Sequence, residues 1–377
     1  MLNNGLHLHW LMKGNNAKET FMRYKWLMCF SMMGVFMTLL SNCKTNNHPP
    51  LPLIHAKKYD YLAIAHSIKN KYDQHLDTMP QYQASHYAAR IFRISGDTSY
   101  LKYNLRDLQS MYQESQELLI VARNHGEVQY AEEKIKYWSS SKTRFNLRRQ
   151  TLKVRPQFLY YLSSLNILRR TQEYRICTPV FEELKQYVLA HDYTTYLNNP
   201  EMVKAWAAQL ANLVIWLKQL GGKDYSKQFI DMLQKTYPDN QDTLLDKQQY
   251  ENKIYGLTHL VLAQSRYYQY PLDRMEFPWI FDYFDTHIDT ILSRTKADVI
   301  AEVGIAYLIT QQSGHPALEK TQENIADQYD ATQHMIPGPQ GEFAITSGAH
   351  RNILSIILLS SPSKWYSGPW LDELNSR

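Results

Sequence analysis

The chain has 377 residues, and its formal net charge is +5 at pH 7. An apolar fraction of 44% is sufficient for a folded core, and three cysteines are too few for a disulfide scaffold or a cysteine-based metal cluster. Only 14 glycines are present, which disfavours a turn-rich β architecture and suits long helices.

The first predicted element is a secretory signal. Arg23 and Lys25 precede about fifteen mostly apolar residues, 26–40, and short polar residues then lead to Cys43. This order matches the charged, apolar and cleavage regions of a signal peptide. A membrane anchor is the alternative, but a spanning helix needs about 20 apolar residues. The residues upstream fit no signal pattern, so translation is predicted to start at Met22.

The end of this signal, Leu40-Ser41-Asn42-Cys43, resembles the lipobox of bacterial lipoproteins, which reads Leu-small-small-Cys. The resemblance implies cleavage before Cys43 and lipidation of that cysteine. Asn42 departs from the Gly, Ala or Ser that is usual at its position. In Gram-negative lipoproteins an Asp directly after the cysteine favours retention in the inner membrane. Lys44 stands at that position and therefore resembles the outer-membrane case. The expected location is therefore the bacterial cell envelope, on the outer membrane, facing the periplasm or the surface.

Loss of residues 1–42 changes the charge and the cysteine content of the mature chain. The segment carries four basic residues and one acidic residue, so its removal lowers the net charge from +5 to about +2. The basicity of the full chain is then no argument for nucleic-acid binding. Cys29 leaves with the signal and Cys43 is lipidated, so Cys177 remains alone and no internal disulfide is possible.

Residues 43–56 are predicted to be the lipidated cysteine and a polar, proline-rich tether, and residues 57–377 one all-helical domain. Pro near the start and Gly or Asn past the end delimit several of its helices. The helical period predicts helices over 58–76, 80–94, 99–123, 127–139, 156–173, 176–191, 201–220, 224–236, 243–269, 278–294, 297–312, 316–329 and 347–360.

These helices are expected to form antiparallel pairs that recur at intervals of about 45 to 50 residues from about residue 156. Such a period predicts either an open α-solenoid or a closed ring, and the low similarity between the repeats favours the ring. Over about 80–360 the pattern resembles the α/α-toroid superfolds of helical glycoside hydrolases, polysaccharide lyases, terpene cyclases and lanthionine-synthetase-like proteins. The resemblance concerns architecture and implies no reaction.

Polar residues interrupt the helices that would line such a ring. The stretches 255–259 (Tyr-Gly-Leu-Thr-His) and 350–352 (His-Arg-Asn) are similar to motifs of uncharacterised bacterial helical-toroid domains. Burial of an unpaired carboxylate or imidazole costs several kcal/mol, so a carboxylate and histidines on neighbouring helices would satisfy one another. The candidate catalytic residues are His259, Glu302, His350 and Arg351, and the candidate ligand-pocket residues are His86, Gln209, Asn212, Tyr255 and Thr258.

Three interpretations of this set remain open. His259, Glu302 and His350 form a two-histidine, one-carboxylate set that would suit a divalent metal with an open position for water. They would equally suit general acid–base catalysis, with the pKa of Glu302 raised by burial. The third interpretation is a buried polar network that only fixes helix register.

The leading functional hypothesis is a cell-envelope enzyme that acts on a glycan or a cell-wall-derived substrate, with Arg351 pairing with an anionic group. The rival is a non-enzymatic helical-repeat lipoprotein that binds a protein partner or a ligand. Partners beyond the membrane are therefore a glycan or an envelope protein, and nucleic acid is not expected.

Three further features leave alternatives open. Gly256 and Gly304 fall inside predicted inner helices, where glycine costs about 1 kcal/mol, so each marks close helix contact or room for a ligand. The Gly/Pro-rich loop 335–343 either overhangs a ring or only connects two helices. The basic run 142–155 is interpreted as a solvated face, with anion binding as the alternative.

Overall fold

The computed structural model describes residues 58–136 and 143–372 of the chain. The predicted signal, Cys43 and the tether lie outside these residues. The described residues belong to one unit, Ala56–Arg377. Within the described ranges there is no β-strand, and one isolated antiparallel bridge joins Asp330 to Met335. The all-α prediction is therefore confirmed.

The described residues form fifteen α-helices. In chain order they are α1 (Tyr61–Asp73), α2 (Gln81–Ser95), α3 (Leu101–Arg123), α4 (Glu127–Lys136), α5 (Thr143–Val154), α6 (Phe158–Glu173), α7 (Pro179–Ala190), α8 (Thr194–Leu197), α9 (Pro200–Gln219), α10 (Ser226–Thr236), α11 (Lys247–Gln264), α12 (Pro278–Arg294), α13 (Ala297–Ile309), α14 (Pro316–Asp327) and α15 (Ile345–Ser360). None of these helices combines the length and the apolarity needed to cross a membrane.

Proline and glycine delimit the helices in the way that the sequence predicts. α9 begins at Pro200, and the Asn199 side chain accepts hydrogen bonds from the backbone N of Glu201 and Met202 at 2.9 and 3.1 Å. α2 ends at Gly96, whose φ of 71° is left-handed and favours glycine. These caps satisfy backbone groups that a helix end leaves unpaired.

The predicted helix pairs are present. α6 packs against α7, α9 against α10, α11 against α12, and α13 against α14. A second series of contacts runs from α2 to α3, then to α6, α9, α11, α13 and α15. The last helix of that series, α15, packs against α2, so the series returns to its first helix.

Close helix contact explains the glycines inside α11 and α13. A Cβ at Gly256 would lie 3.1 Å from Ala207 Cβ, on α9. A Cβ at Gly304 would lie 2.5 Å from Leu358 Cδ1 and would also collide with the Thr321 side chain. The space at each glycine is therefore filled by a neighbouring helix, which favours the packing alternative over room for a ligand.

The basic run near residue 150 forms α5, a helix that the sequence analysis did not predict. Arg148 on α5 is 9% exposed, and its Nε donates to Ala205 O at 3.0 Å. That carbonyl precedes Trp206, where α9 leaves helical geometry, and the guanidinium lies 4.2 Å from the Trp206 ring centroid. Burial, together with the charge of Arg144, lowers the pKa of Arg148 to about 9. The prediction of a solvated face is therefore wrong at Arg148.

α11 ends earlier than predicted, because the chain enters a left-handed turn. Arg266, Tyr267 and Tyr268 have φ values of 52°, 54° and 73°. Each such conformation costs a non-glycine residue about 1–3 kcal/mol and persists only where the surroundings hold it. Tyr267 N donates to Leu262 O at 2.8 Å, and Tyr268 N donates to Ser265 Oγ at 3.1 Å. We call residues 266–268 the left-handed turn.

The last described residues return to the first half of the domain. Tyr366 N donates to Arg93 O at 2.9 Å, and Leu371 N donates to Tyr174 O at 3.0 Å. Arg93 Nε in turn donates to Gly368 O at 2.8 Å. The segment after α15 is thereby fixed to α2 and to the end of α6.

Candidate functional site

Glu302 lies between two histidines that come from neighbouring helices. Its Oε1 is 3.5 Å from His259 Nε2 and 3.6 Å from His350 Nε2. Its Oε2 accepts a hydrogen bond from Thr258 Oγ1 at 2.7 Å. The contacts of α13 with α11 and α15 bring these side chains together. We call Thr258, His259, Glu302 and His350 the Glu302 cluster.

Exposure to solvent rises across this cluster from Glu302 to His350. The side chain of Glu302 is 1% exposed, that of His259 is 15% exposed and that of His350 is 44% exposed. α13 is otherwise apolar around Glu302, with Val299, Ile300, Val303 and Ile305 all buried. The carboxylate is therefore set into the core, and His350 is the member of the cluster that a dissolved molecule can touch.

Glu302 is held in its ionised form. Burial acts to raise its pKa, but the positive charge and hydrogen bonding of His259 and His350 outweigh burial and hold the pKa below its ordinary value near 4.5. The prediction of a raised pKa for Glu302 is therefore wrong, because the two histidines lower this pKa by more than burial raises it. An ionised Glu302 cannot donate a proton as a general acid, but it can orient and charge-balance the imidazoles.

The second nitrogen of His259 is also engaged. Its Nδ1 lies 3.1 Å from Asn212 Oδ1, an oxygen that also accepts from the Tyr267 hydroxyl at 2.8 Å. Tyr267 Oη lies 3.3 Å from the same Nδ1. Asn212 Oδ1 can only accept, so a hydrogen bond between it and His259 requires a proton on His259 Nδ1.

His86 extends the cluster along α2. Its ring centroid lies 5.7 Å from that of His350 and 6.1 Å from that of Tyr82. Burial, and then the charges of Arg90 and His350, lower the pKa of His86 well below its ordinary value. A neutral imidazole on α2 therefore lies beside the His350 ring on α15.

Other predicted site residues are bound elsewhere. Gln209 Oε1 accepts from Arg148 at 2.8 Å. Arg351 Nε donates to Ile336 O at 3.1 Å, so this guanidinium lies on the loop that precedes α15 and does not join the Glu302 cluster. Tyr255 does adjoin the cluster, because its ring centroid lies 5.8 Å from that of His259, but its hydroxyl donates to Asp298 Oδ2 at 2.5 Å.

The loop 335–343 is anchored at its start. Met335 and Ile336 are buried, and Ile336 N donates to Asn352 Oδ1 at 2.7 Å. Asn352 Nδ2 donates back to Ile336 O at 3.2 Å. This part of the loop packs onto α15, so only the remainder is available to overhang a neighbouring surface.

Three side chains next to the cluster were missed from the sequence. Asp298 lies one helical turn from the predicted residue Glu302, and Arg90 lies one turn from His86, so that spacing was a usable signal. Arg169 carries no such signal. The Arg90 and Arg169 guanidinium carbons lie 5.6 and 5.1 Å from the Tyr267 ring centroid.

In the ranges that the structure covers, no group of three or more His, Cys, Asp or Glu side chains is arranged to hold a metal ion. The proposed metal set of His259, Glu302 and His350 therefore gains no support from its geometry. The carboxylate lies 3.5 and 3.6 Å from the two Nε2 atoms, which is within ion-pair range for protonated imidazoles and longer than a usual hydrogen bond.

A family model described as Domain of unknown function (DUF3541) matches residues 61–376. The chain belongs to the DUF3541 family. The match spans α1 to α15, so every member of the Glu302 cluster lies within the DUF3541 domain. No curated protein and no solved structure matches the chain. The chemistry of this DUF3541 domain therefore has to be argued from its own residues.

Proposed function

We propose that the chain is a lipid-anchored enzyme of the bacterial cell envelope that transfers protons on a glycan or a cell-wall-derived substrate. The observation that carries the proposal is the Glu302 cluster. A carboxylate that is 1% exposed contacts two histidine side chains whose exposure rises to 44% at His350. A buried orienting carboxylate behind an accessible imidazole is the arrangement that general acid–base catalysis uses.

Each member of the cluster has a distinct role in this proposal. His350 exchanges the proton with the substrate, since it is the accessible imidazole. Glu302 orients His350 and balances the charge that His350 gains. Thr258 fixes the second carboxylate oxygen at 2.7 Å, and His259 fixes the first from the side of Asn212. Pre-oriented partners of this kind remove reorganisation from the chemical step.

The arrangement favours histidine chemistry over hydrolysis by two carboxylates. Hydrolysis of that kind requires one protonated carboxylic acid as the general acid, usually with a raised pKa. The pKa of Glu302 is held low by its histidines against the effect of burial. The nearest carboxylate on the same helix, Asp298, accepts from the Tyr255 hydroxyl and lies 3.6 Å from Lys296 Nζ. Neither carboxylate is set up to donate a proton.

The proposed architecture is an α/α toroid. Support comes from the contact series that leaves α2 and returns to it through α15. In a ring of that kind α2, α11, α13 and α15 are inner helices, and they carry His86, His259, Glu302 and His350. The substrate would then enter at the end of the ring where His350 is exposed.

The test is incubation of the purified chain with peptidoglycan and with envelope polysaccharides, followed by mass spectrometry of the released fragments. Conversion is expected for the natural chain, and His350→Ala is expected to lower its rate by about 10²–10⁴-fold. His66→Ala, an exposed histidine on α1, is the matched control and should retain activity. Equal rates for His350→Ala and the control would refute the proposal. Binding without conversion would support the non-enzymatic lipoprotein.

The envelope location has its own test at Cys43, which lies outside the described residues. Metabolic labelling with a radioactive fatty acid in a bacterial host is expected to mark the natural chain and not Cys43→Ser. Cys177→Ser is the control, because Cys177 is an exposed free cysteine of the folded domain. Label that persists in Cys43→Ser would contradict the predicted lipobox.

A further inference from the structure

Arginine side chains on α2 and α6 outnumber the carboxylates that pair with them. Arg93 and Arg169 share Glu173, with Arg93 Nη2 3.0 Å from Glu173 Oε2. Arg170 pairs with Asp107. A fourth guanidinium, that of Arg90, forms no ion pair with any residue that the structure describes. Four cations therefore face two carboxylates.

Arg90 is the cation without a counterion. The residue is 7% exposed, and its Nε has no hydrogen-bond partner. Its Nη1 donates to His86 O at 3.3 Å, a long bond to a neutral acceptor. A buried charge without a partner costs several kcal/mol, so such a group is expected to meet an anion in its working state.

Two more unpartnered donors belong to side chains that contact Tyr267. Arg169 stacks on the rings of Trp216 and Tyr267, with its guanidinium carbon 5.1 Å from each centroid. Arg169 Nε and Trp216 Nε1 are both buried without a hydrogen-bond partner. Arg90 also contacts Tyr267 and the following residue, Tyr268. Its guanidinium carbon lies 5.6 Å from each of the two ring centroids.

We propose that Arg90 and Arg169 form an anion subsite, and that the substrate of the Glu302 cluster is an acidic glycan. The sugar-borne anion, a carboxylate or a sulfate, binds between the two guanidinium groups beside Tyr267. This inference rests on the proposed function, because it assigns the substrate class of that site. Guanidinium is suited to the task, since its fork of donors matches planar anions in a bidentate manner.

Tyr267 connects the subsite to the Glu302 cluster. Its ring lies against both guanidinium groups, while its hydroxyl donates to Asn212 and lies 3.3 Å from His259 Nδ1. An anion bound beside that ring sits one side chain away from His259. The subsite therefore positions the charged part of a sugar unit next to the groups that transfer protons.

The left-handed turn is what presents Tyr267 and Tyr268 to Arg90. Arg93 Nη1 donates to Tyr267 O at 3.0 Å, so a member of the arginine group also holds the backbone of the turn. Backbone strain of this kind clusters at ligand-binding sites. Together with the unpartnered donors, it distinguishes this group from a purely structural ion-pair network.

Calorimetric titration of the full chain tests the subsite. The probes are an oligogalacturonate, the same oligosaccharide after reduction of its carboxyl groups, and a sulfated oligosaccharide of similar length. We expect an acidic probe to bind and the reduced probe not to bind, and Arg90→Met to weaken binding by about 10- to 100-fold. Preference between carboxylate and sulfate identifies the anion. Arg123→Met, an exposed arginine on α3, is the control.

The unfolding temperature of Arg90→Met distinguishes a binding role of Arg90 from a purely structural role. Exchange of an unpaired buried charge for an apolar side chain of similar volume is often neutral or stabilising. The unfolding temperature of Arg90→Met without ligand should therefore equal or exceed that of the natural chain. A lower unfolding temperature with unchanged binding would overturn the inference, as would equal binding of the reduced probe. Acidic-glycan binding without conversion would refute the proposed enzyme and leave the subsite standing.

Discussion

Glu302→Gln is expected to lower the rate of substrate conversion by about 10²–10⁴-fold, the usual contribution of general acid–base catalysis. Glutamine keeps the size of the side chain and can still accept from Thr258, which donates to Glu302 at 2.7 Å. It carries no charge, so His259 and His350 lose the carboxylate that balances them. The rate measured on the glycan found by substrate screening checks this prediction, with Thr258→Val as a variant that keeps the carboxylate and removes its hydrogen bond from Thr258.

The same substitution has a signature in the pH dependence of stability. The pKa of Glu302 is lower in the folded chain than its ordinary value near 4.5. Ionised Glu302 therefore contributes stability that is complete above that ordinary value and is lost as the pH falls toward the folded pKa. Denaturant unfolding of Glu302→Gln should lack this part of the acid destabilisation. Full activity in Glu302→Gln combined with a large loss of stability would instead identify the cluster as a purely structural network.

Glu173→Gln is expected to lower the free energy of unfolding by about 3–5 kcal/mol. Glu173 accepts from Arg93 and Arg169, and the side chains of Glu173 and Arg93 are 7% and 2% exposed. Burial acts to raise the pKa of Glu173, but the two guanidinium groups outweigh it and hold the pKa below its ordinary value. Removal of the charge leaves both guanidinium groups buried with no carboxylate. Equilibrium unfolding in urea measures the loss.

The chain supplies a matched control for that experiment. Arg123 binds Glu183 through two hydrogen bonds of 2.9 and 2.6 Å, yet these side chains are 53% and 38% exposed. Glu183→Gln should therefore cost only about 0–1 kcal/mol, because water already solvates both partners. Similar losses for the two variants would show that burial does not set the strength of the Glu173 network.

Helix pairing was predictable, and so were thirteen of the fifteen α-helices of the described residues, because both rest on local signals; α5 and α8 were not predicted. Pro200 and Gly96 mark helix ends through their own backbone preferences, and the helical period marks the buried faces. α11 was predicted too long because the left-handed turn contains no glycine or asparagine. Its φ values are imposed by bonds such as that from Arg93 to Tyr267 O, which no local pattern reveals.

The site was predictable only in part. His259, Glu302 and His350 were identifiable as polar residues in apolar helices, and the structure brings their side chains together. The direction of the Glu302 pKa was not predictable, since it depends on which of two opposing effects is larger. Arg351 illustrates a second limit. It follows His350 directly, but adjacent helix positions point about 100° apart, and Arg351 binds Ile336 O instead.

The return of the last described residues to α2 has a consequence for biogenesis. Arg93 and Gly368 are 275 positions apart in the sequence, and α1 and α2 both pack against α15. α1 and α2 therefore lack their contacts with α15 until almost all of the domain has been made. Contacts between such distant positions slow folding. In the export proposed above, this delay would keep the chain in the extended state that a secretory translocon accepts.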